Sequence, residues 1–78
     1  MPRAHTPEEQ ARIRQRLLEA GREAFVRAGL AKVTIAQLAA AAGIGKGSFY
    51  RFFESKEQLF LAIQEHEEAR FKDALLHD

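Results

Sequence analysis

The fold of this chain is decided by the stretch TIAQLAAAAGIGKGSFYRFFESK, residues 34–56. Its apolar residues fall into two short helical patterns that are separated by a glycine-containing turn. Thr34 and Gln37 make a capping box that begins the first helix. Gly43 suits the end of that helix, because glycine adopts the left-handed conformation at little cost. The stretch therefore predicts a helix-turn-helix unit whose second helix spans about residues 46–52.

Longer helices are predicted on both sides of this unit. The first begins at a capping box of Thr6 and Glu9 and ends at Gly29, a natural left-handed stop. The last begins at Ser55 with a third capping box and continues to about residue 76. No strand alternation is present, so the predicted fold is all-α: a four-helix, homeodomain-like helix-turn-helix domain. Apolar residues at helical spacing predict its core: Ile13, Leu17, Ala20, Ala24, Phe25, Ala28, Ile35, Leu38, Ala39, Ala42, Ile44, Phe49, Phe53, Leu59, Phe60 and Ile63.

Composition limits the chain to one small domain. It has 78 residues, no cysteine, no apolar leader and no apolar run long enough to span a membrane. We therefore expect a soluble protein of the cytoplasm. Residues 1–56 hold ten Lys/Arg and five Asp/Glu (+5), whereas residues 57–78 hold two and six (−4). This asymmetry favours a surface for a polyanion, although ordinary solvated helix faces would explain it equally well.

The front of the second helix of the unit has the character of a DNA-reading element. The second helix of a helix-turn-helix presents its N-terminal residues to base edges in the major groove. Small residues at Gly45, Gly47 and Ser48 would permit close approach of the backbone to DNA. Lys46 could reach a guanine edge or a phosphate. These positions predict base contacts.

Phosphate contacts are predicted around the same helix. Thr34 begins a helix whose amide groups suit phosphate oxygens. Lys56 lies in the first turn of the last helix, where a cation gains nothing from the helix dipole, so a phosphate partner would explain it. Tyr50 offers a hydroxyl to phosphate and a ring to a thymine methyl, and Arg51 faces mainly outward. Simpler alternatives remain open: Tyr50 as a half-buried core edge, Lys46 and Arg51 as solvated surface, and Lys56 as a solubility charge.

The sequence resembles the DNA-binding domain of the TetR family of bacterial repressors. The resemblance covers about residues 8–63, and its motif residues match in order and spacing: Thr34, Leu38-Ala39, Ala42-Gly43-Ile44, Lys46-Gly47, Phe49-Tyr50, Phe53 and Ser55-Lys56. It implies that Lys46, Gly47, Ser48, Tyr50 and Arg51 line the major groove and that Thr34 and Lys56 bind phosphates. Two residues depart from the family pattern: Gly45 stands where serine is frequent, and Phe52 stands where histidine is frequent.

The resemblance also implies partners and a domain organisation. We expect residues 1–5 to be a flexible arm and 6–63 the DNA-binding domain. Residues 64–78 would be the C-terminal part of the fourth helix, a stub toward an absent ligand-binding and dimerisation domain. Phe71, Leu75 and Leu76 would lack partners for that reason. The implied partners are a pseudo-palindromic double-stranded operator, a second subunit in the full-length form, and a small-molecule effector bound only by the absent domain. Neither a cofactor nor a membrane is expected.

Catalytic motifs are incomplete in this chain. His66-Glu67 resembles the start of a zinc-protease helix, but Arg70 occupies the place of the second histidine. The run GIGKGS at residues 43–48 lacks the Ser or Thr after lysine and the preceding strand of a phosphate-binding loop. We therefore expect no enzyme. The alternative function is a helical protein-interaction or dimerisation module without DNA binding, supported by the amphipathic first helix and the apolar end of the last.

Overall fold

The computed structural model describes residues 5–76, except for the side chains of residues 71, 72 and 74–76. Four helices follow one another: α1 Pro7–Ala28, α2 Ile35–Ala41, α3 Lys46–Phe49 and α4 Lys56–Leu76. Residues 5–76 contain no strand. The predicted all-α, four-helix class is confirmed. The side chains of Phe71, Leu75 and Leu76 lie outside the described residues, as does Arg3 of the predicted arm.

Helix α1 begins at the predicted capping box. The Thr6 hydroxyl accepts from the Glu9 amide at 3.1 Å, and the Glu9 carboxylate accepts from the Thr6 amide at 2.8 Å. These Thr6 hydrogen bonds lower the pKa of the Glu9 carboxyl. At the other end, Gly29 has φ 86° and ψ 154°. The φ is positive as expected, but the ψ is extended rather than left-handed helical. This combination of a positive φ and an extended ψ is essentially restricted to glycine.

Helix α2 is fixed at both ends by local hydrogen bonds. Thr34 and Gln37 form the second capping box, with distances of 3.1 and 3.0 Å. Gly43 has φ 77°. Its amide donates to the Ala40 carbonyl at 3.1 Å, and the Ile44 amide donates to the Ala39 carbonyl at 2.9 Å. This pattern is a Schellman motif, which ends α2 and turns Ile44 toward the core.

Helix α3 is shorter than the predicted span of residues 46–52. Its α-helical part ends at Phe49. The chain then continues in tight turns, in which the Arg51 amide donates to Ser48 and the Phe52 amide to Phe49, at 3.0 and 2.9 Å. Such i→i+3 bonds wind the backbone more tightly than an α-helix does.

The core lies where α1 crosses α2 and α4. Its buried apolar residues are Ile13, Leu17, Leu18, Phe25, Val33, Leu38, Ala39, Ala42, Phe49, Phe53, Leu59 and Ile63. Ile35, Ile44 and Phe60 are partly buried against it, as predicted. The predicted stripe on α1 is wrong in part, because Ala28 is exposed and Ala20 and Ala24 are only half-buried.

Gly21 takes the central place on the α1 face that packs against α4. A Cβ atom there would lie 2.8 Å from Cδ1 of Ile63 and 2.9 Å from Cδ2 of Leu59. The two helices also meet through the rings of Phe25 and Phe60, whose centroids lie 5.5 Å apart edge to face. The apolar periodicity of the sequence did not identify this contact, since glycine has no side chain to mark it.

Candidate nucleic-acid interface

One cleft brings together half of the predicted site residues. It lies between the α1–α2 connection, α3 and the start of α4, and we call it the recognition cleft. Its lining includes the predicted residues Thr34, Lys46, Tyr50 and Lys56. Glu54 and Glu57 also line it, so the cleft carries charges of both signs. Gly45, Gly47, Ser48 and Arg51 are not part of its lining.

The front of α3 is an open surface. Gly45, Lys46 and Gly47 are exposed, and Ser48 is half-buried. No heavy atom beyond the chain neighbours lies within 4 Å of the place where a Cβ would stand on Gly45 or Gly47. Neither glycine has a positive φ. The fold itself therefore does not require glycine at these two positions. The free space beside them allows a partner to approach the backbone closely.

Tyr50 is held by the core and is also accessible. It is 52% exposed, and its ring lies edge to face against the buried ring of Phe49, with the centroids 5.7 Å apart. The two interpretations of this residue are therefore compatible. One side of the ring packs against the core, while half of the residue remains open to a partner.

Lys56 makes hydrogen bonds that its sequence position did not reveal. Its Nζ donates to the carbonyl of Val33 at 2.9 Å and to that of Ala31 at 3.2 Å, and the residue is half-buried. These bonds tie the first residue of α4 to the α1–α2 connection, directly before the N-cap of α2. An ammonium group has three donors. Two of them serve the fold, so Lys56 is more than a solubility charge.

Arg51 lies on the other side of α3, in a second cleft. We call this the α1–α3 cleft; it is lined by His5, Pro7, Gln10, Ala11, Arg14, Arg51 and Phe52. The guanidinium of Arg14 lies 5.2 Å from the centroid of the Phe53 ring. The backbone of His5 is joined to α1, since its carbonyl accepts from Nε2 of Gln10 at 3.2 Å. Arg14 is not among the residues for which the sequence predicted a DNA contact.

Two other classes of site find no support in the described part of the chain. Within it, no group of three or more His, Cys, Asp or Glu residues has a geometry that could hold a metal ion. None of the helices in residues 5–76 is long and apolar enough to cross a membrane.

Comparison with known proteins gives consistent matches. The family model described as bacterial regulatory proteins, tetR family, matches residues 17–63. The transcriptional regulator TtgR of Pseudomonas putida is 36% identical over 58 residues, which are 74% of this chain and 28% of that protein. The repressor AcnR of Corynebacterium efficiens is 34% identical over 62 residues, 80% of this chain and 33% of that protein. The repressor DhaR of a Mycobacterium species is 44% identical over 45 residues, 58% of this chain and 23% of that protein.

The chain thus spans between about a quarter and a third of the length of these relatives. No solved structure gives a significant match.

Proposed function

Because the chain belongs to the tetR family of bacterial regulatory proteins and carries its helix-turn-helix DNA-binding domain, we propose that α3 reads base pairs in the major groove of an operator. The observation that carries this proposal is the open front of α3. Gly45 and Gly47 leave free space that the fold does not need, and the exposed Lys46 and half-buried Ser48 lie beside them. A surface of this kind admits the DNA close to the helix backbone.

We assign roles by the chemistry of each group. Lys46 and Ser48 contact base edges, since lysine pairs with guanine and a hydroxyl pairs with several bases. Tyr50 contacts a phosphate or a thymine methyl, and Arg51 a phosphate or a base edge at the border of the groove. The amides at the Thr34 end of α2 donate to a phosphate. The remaining N–H of Lys56 donates to another phosphate.

The biological setting is part of the proposal. Relatives that carry the word repressor in their names favour repression for this chain as well. Its whole protein would act in the bacterial cytoplasm as a homodimer on a pseudo-palindromic operator, with half-sites one helical turn or a multiple apart. A small-molecule effector would bind outside the DNA-binding domain. No catalytic step is involved, and the family is one of regulators.

Binding to a random duplex library tests the function directly. The protein is mixed with the library at about 50 and 200 mM salt, and the retained DNA is sequenced. Enrichment of a short motif, with binding that falls steeply as salt rises, is the expected result, because phosphate contacts release counterions. A helical interaction module without DNA binding would retain no DNA at low salt while remaining folded by circular dichroism.

Base readout by α3 predicts a change in the selected motif. Lys46→Ala and Ser48→Ala are each expected to relax the preference at one or two base pairs and to cost about 1–3 kcal/mol on the wild-type motif. Loss of the side chain removes a contact to a base edge rather than to the uniform backbone. Selection with each variant measures this. An unchanged motif would show that neither side chain reads bases. Arg27→Ala, at the far end of α1, is the matched control and keeps the motif.

Close approach of the α3 backbone predicts that stability and affinity change in opposite directions. Gly47→Ala is expected to raise the free energy of unfolding by up to about 1 kcal/mol, because alanine favours helix and the new Cβ meets open space. The same Cβ stands between α3 and the groove. Affinity for the selected duplex should fall by roughly the value of one base contact, about 1–3 kcal/mol. Urea denaturation and fluorescence anisotropy measure the two quantities. Unchanged affinity would place the DNA farther from the helix.

A further inference from the structure

The α1–α3 cleft is the more basic of the two clefts that flank α3. Its lining holds Arg14, Arg51 and His5 and no carboxylate. Three other surface clefts among the described residues each contain glutamates: Glu54 and Glu57 in the recognition cleft, Glu9 beside the turn after α2, and Glu19 and Glu23 between α1 and α2. The α1–α3 cleft therefore offers an anion two arginines without an opposing carboxylate in its lining.

One of these arginines contacts an aromatic ring of the core. The guanidinium of Arg14 lies over the ring of Phe53, which is 8% exposed and belongs to the core. A guanidinium stacked on an aromatic face keeps its N–H groups at its edge, where they can meet an anion. A side chain that is already ordered loses less conformational freedom when it binds. Arg14 is thus better prepared for a ligand than an unsupported surface arginine.

The position of the cleft indicates which anion it meets. Arg51 lies two residues after the end of α3, so the cleft adjoins the helix that we place in the major groove. The major groove is bordered by the phosphate backbones of both strands, so a helix that lies in it has a backbone on each side. Phosphate oxygens match the planar N–H groups of arginine, which can donate two parallel hydrogen bonds.

We propose that the α1–α3 cleft binds a backbone phosphate of the operator that lies outside the base pairs read by α3. Arg14 and Arg51 donate to the phosphate oxygens, and His5 lies at the edge of the site. The proposal rests on the proposed function, since it needs α3 in the groove. It assigns α1 a direct part in the DNA interface, and it widens the footprint beyond the recognition cleft.

Arg14→Met tests the site without uncovering the core. Methionine can still cover the Phe53 ring but cannot donate to phosphate. We expect about a tenfold loss of affinity for the selected duplex. This loss corresponds to the lower end of the range for the contribution of one hydrogen bond to a charged group. The plot of log affinity against log salt concentration should become shallower by about 0.9, the value for one phosphate. The enriched base motif should stay the same, because the lost contact carries no sequence information.

The control variant is Arg27→Met, which removes the same charge from the last turn of α1. It should keep the wild-type salt dependence, and the thermal melts of both variants should match that of the wild type. A wild-type salt slope in the folded Arg14→Met variant would overturn the cleft proposal alone, because the duplex is still bound and read. If the wild-type chain retained no DNA from the random duplex library, that result would instead contradict the proposed function. Ethylation of single phosphates that weakens the wild type but not Arg14→Met identifies the phosphate.

Discussion

Phe49→Ala is expected to lower the free energy of unfolding by about 3–5 kcal/mol, the cost of truncating a fully buried phenylalanine. Phe49 is 0% exposed, and its ring contacts those of Tyr50 and Phe53. A domain of this length has a net stability of only about 4–12 kcal/mol, at roughly 0.05–0.15 kcal/mol per residue. The substitution therefore removes a large part of the total and lowers the urea concentration at which the protein unfolds.

Urea denaturation followed by far-ultraviolet circular dichroism measures the change. Val26→Ala is the matched control, since Val26 also lies on a helix but is 80% exposed. It should change the free energy of unfolding by less than about 0.5 kcal/mol. A loss below about 1 kcal/mol for Phe49→Ala would mean that α3 is not anchored through this ring.

Lys56→Met is expected to reduce both stability and DNA affinity. The variant loses two hydrogen bonds from an ammonium group to the carbonyls of Ala31 and Val33. Because the lysine is only half-buried, we expect the lower part of the range for charged hydrogen bonds, about 1–2 kcal/mol of unfolding free energy. The connection that leads into Thr34 then loses its tie to α4, so the N-terminus of α2 is held less firmly against the DNA.

The DNA measurement separates the two roles of Lys56. A phosphate contact by its third N–H would make all sequences bind more weakly by the same factor and reduce the salt slope by about 0.9. A role in the fold alone would lower the affinity with the slope unchanged. A change in base preference would reject the phosphate assignment. Lys32→Met, an exposed lysine of the same connection, is the control and should keep the wild-type stability.

The sequence predicted those parts of the fold that depend on neighbouring residues. Capping boxes at Thr6 and Thr34 and the glycine end of α2 involve residues at most five positions apart, so local pattern is enough to find them. The start of α4 shows one of the two hydrogen bonds of the predicted third capping box, in which the Gln58 amide donates to the Ser55 hydroxyl at 3.1 Å. The family model that matches residues 17–63 lies within the region of resemblance at residues 8–63.

The features that the sequence did not predict join distant residues. The bonds from Lys56 cross 23 and 25 positions, and Gly21 meets α4 only because the chain has returned to α1. The sequence also did not predict that the α-helical part of α3 ends at Phe49. For the candidate site, sequence predicted which residues face outward near α3. It did not show that Lys46 and Tyr50 line one cleft and Arg51 lines another of different charge.

The contact of Gly21 with Leu59 and Ile63 also restricts how this domain can change over time. With side-chain atoms of α4 already lying 2.8 and 2.9 Å from a Cβ at position 21, a larger residue there requires the ends of the Leu59 and Ile63 side chains to move. Residues in such direct contact do not contribute independently, and the effects of their substitutions do not add. The cost of replacing Gly21 therefore depends on which residues occupy positions 59 and 63, so the same substitution has a different effect when α4 carries other side chains there.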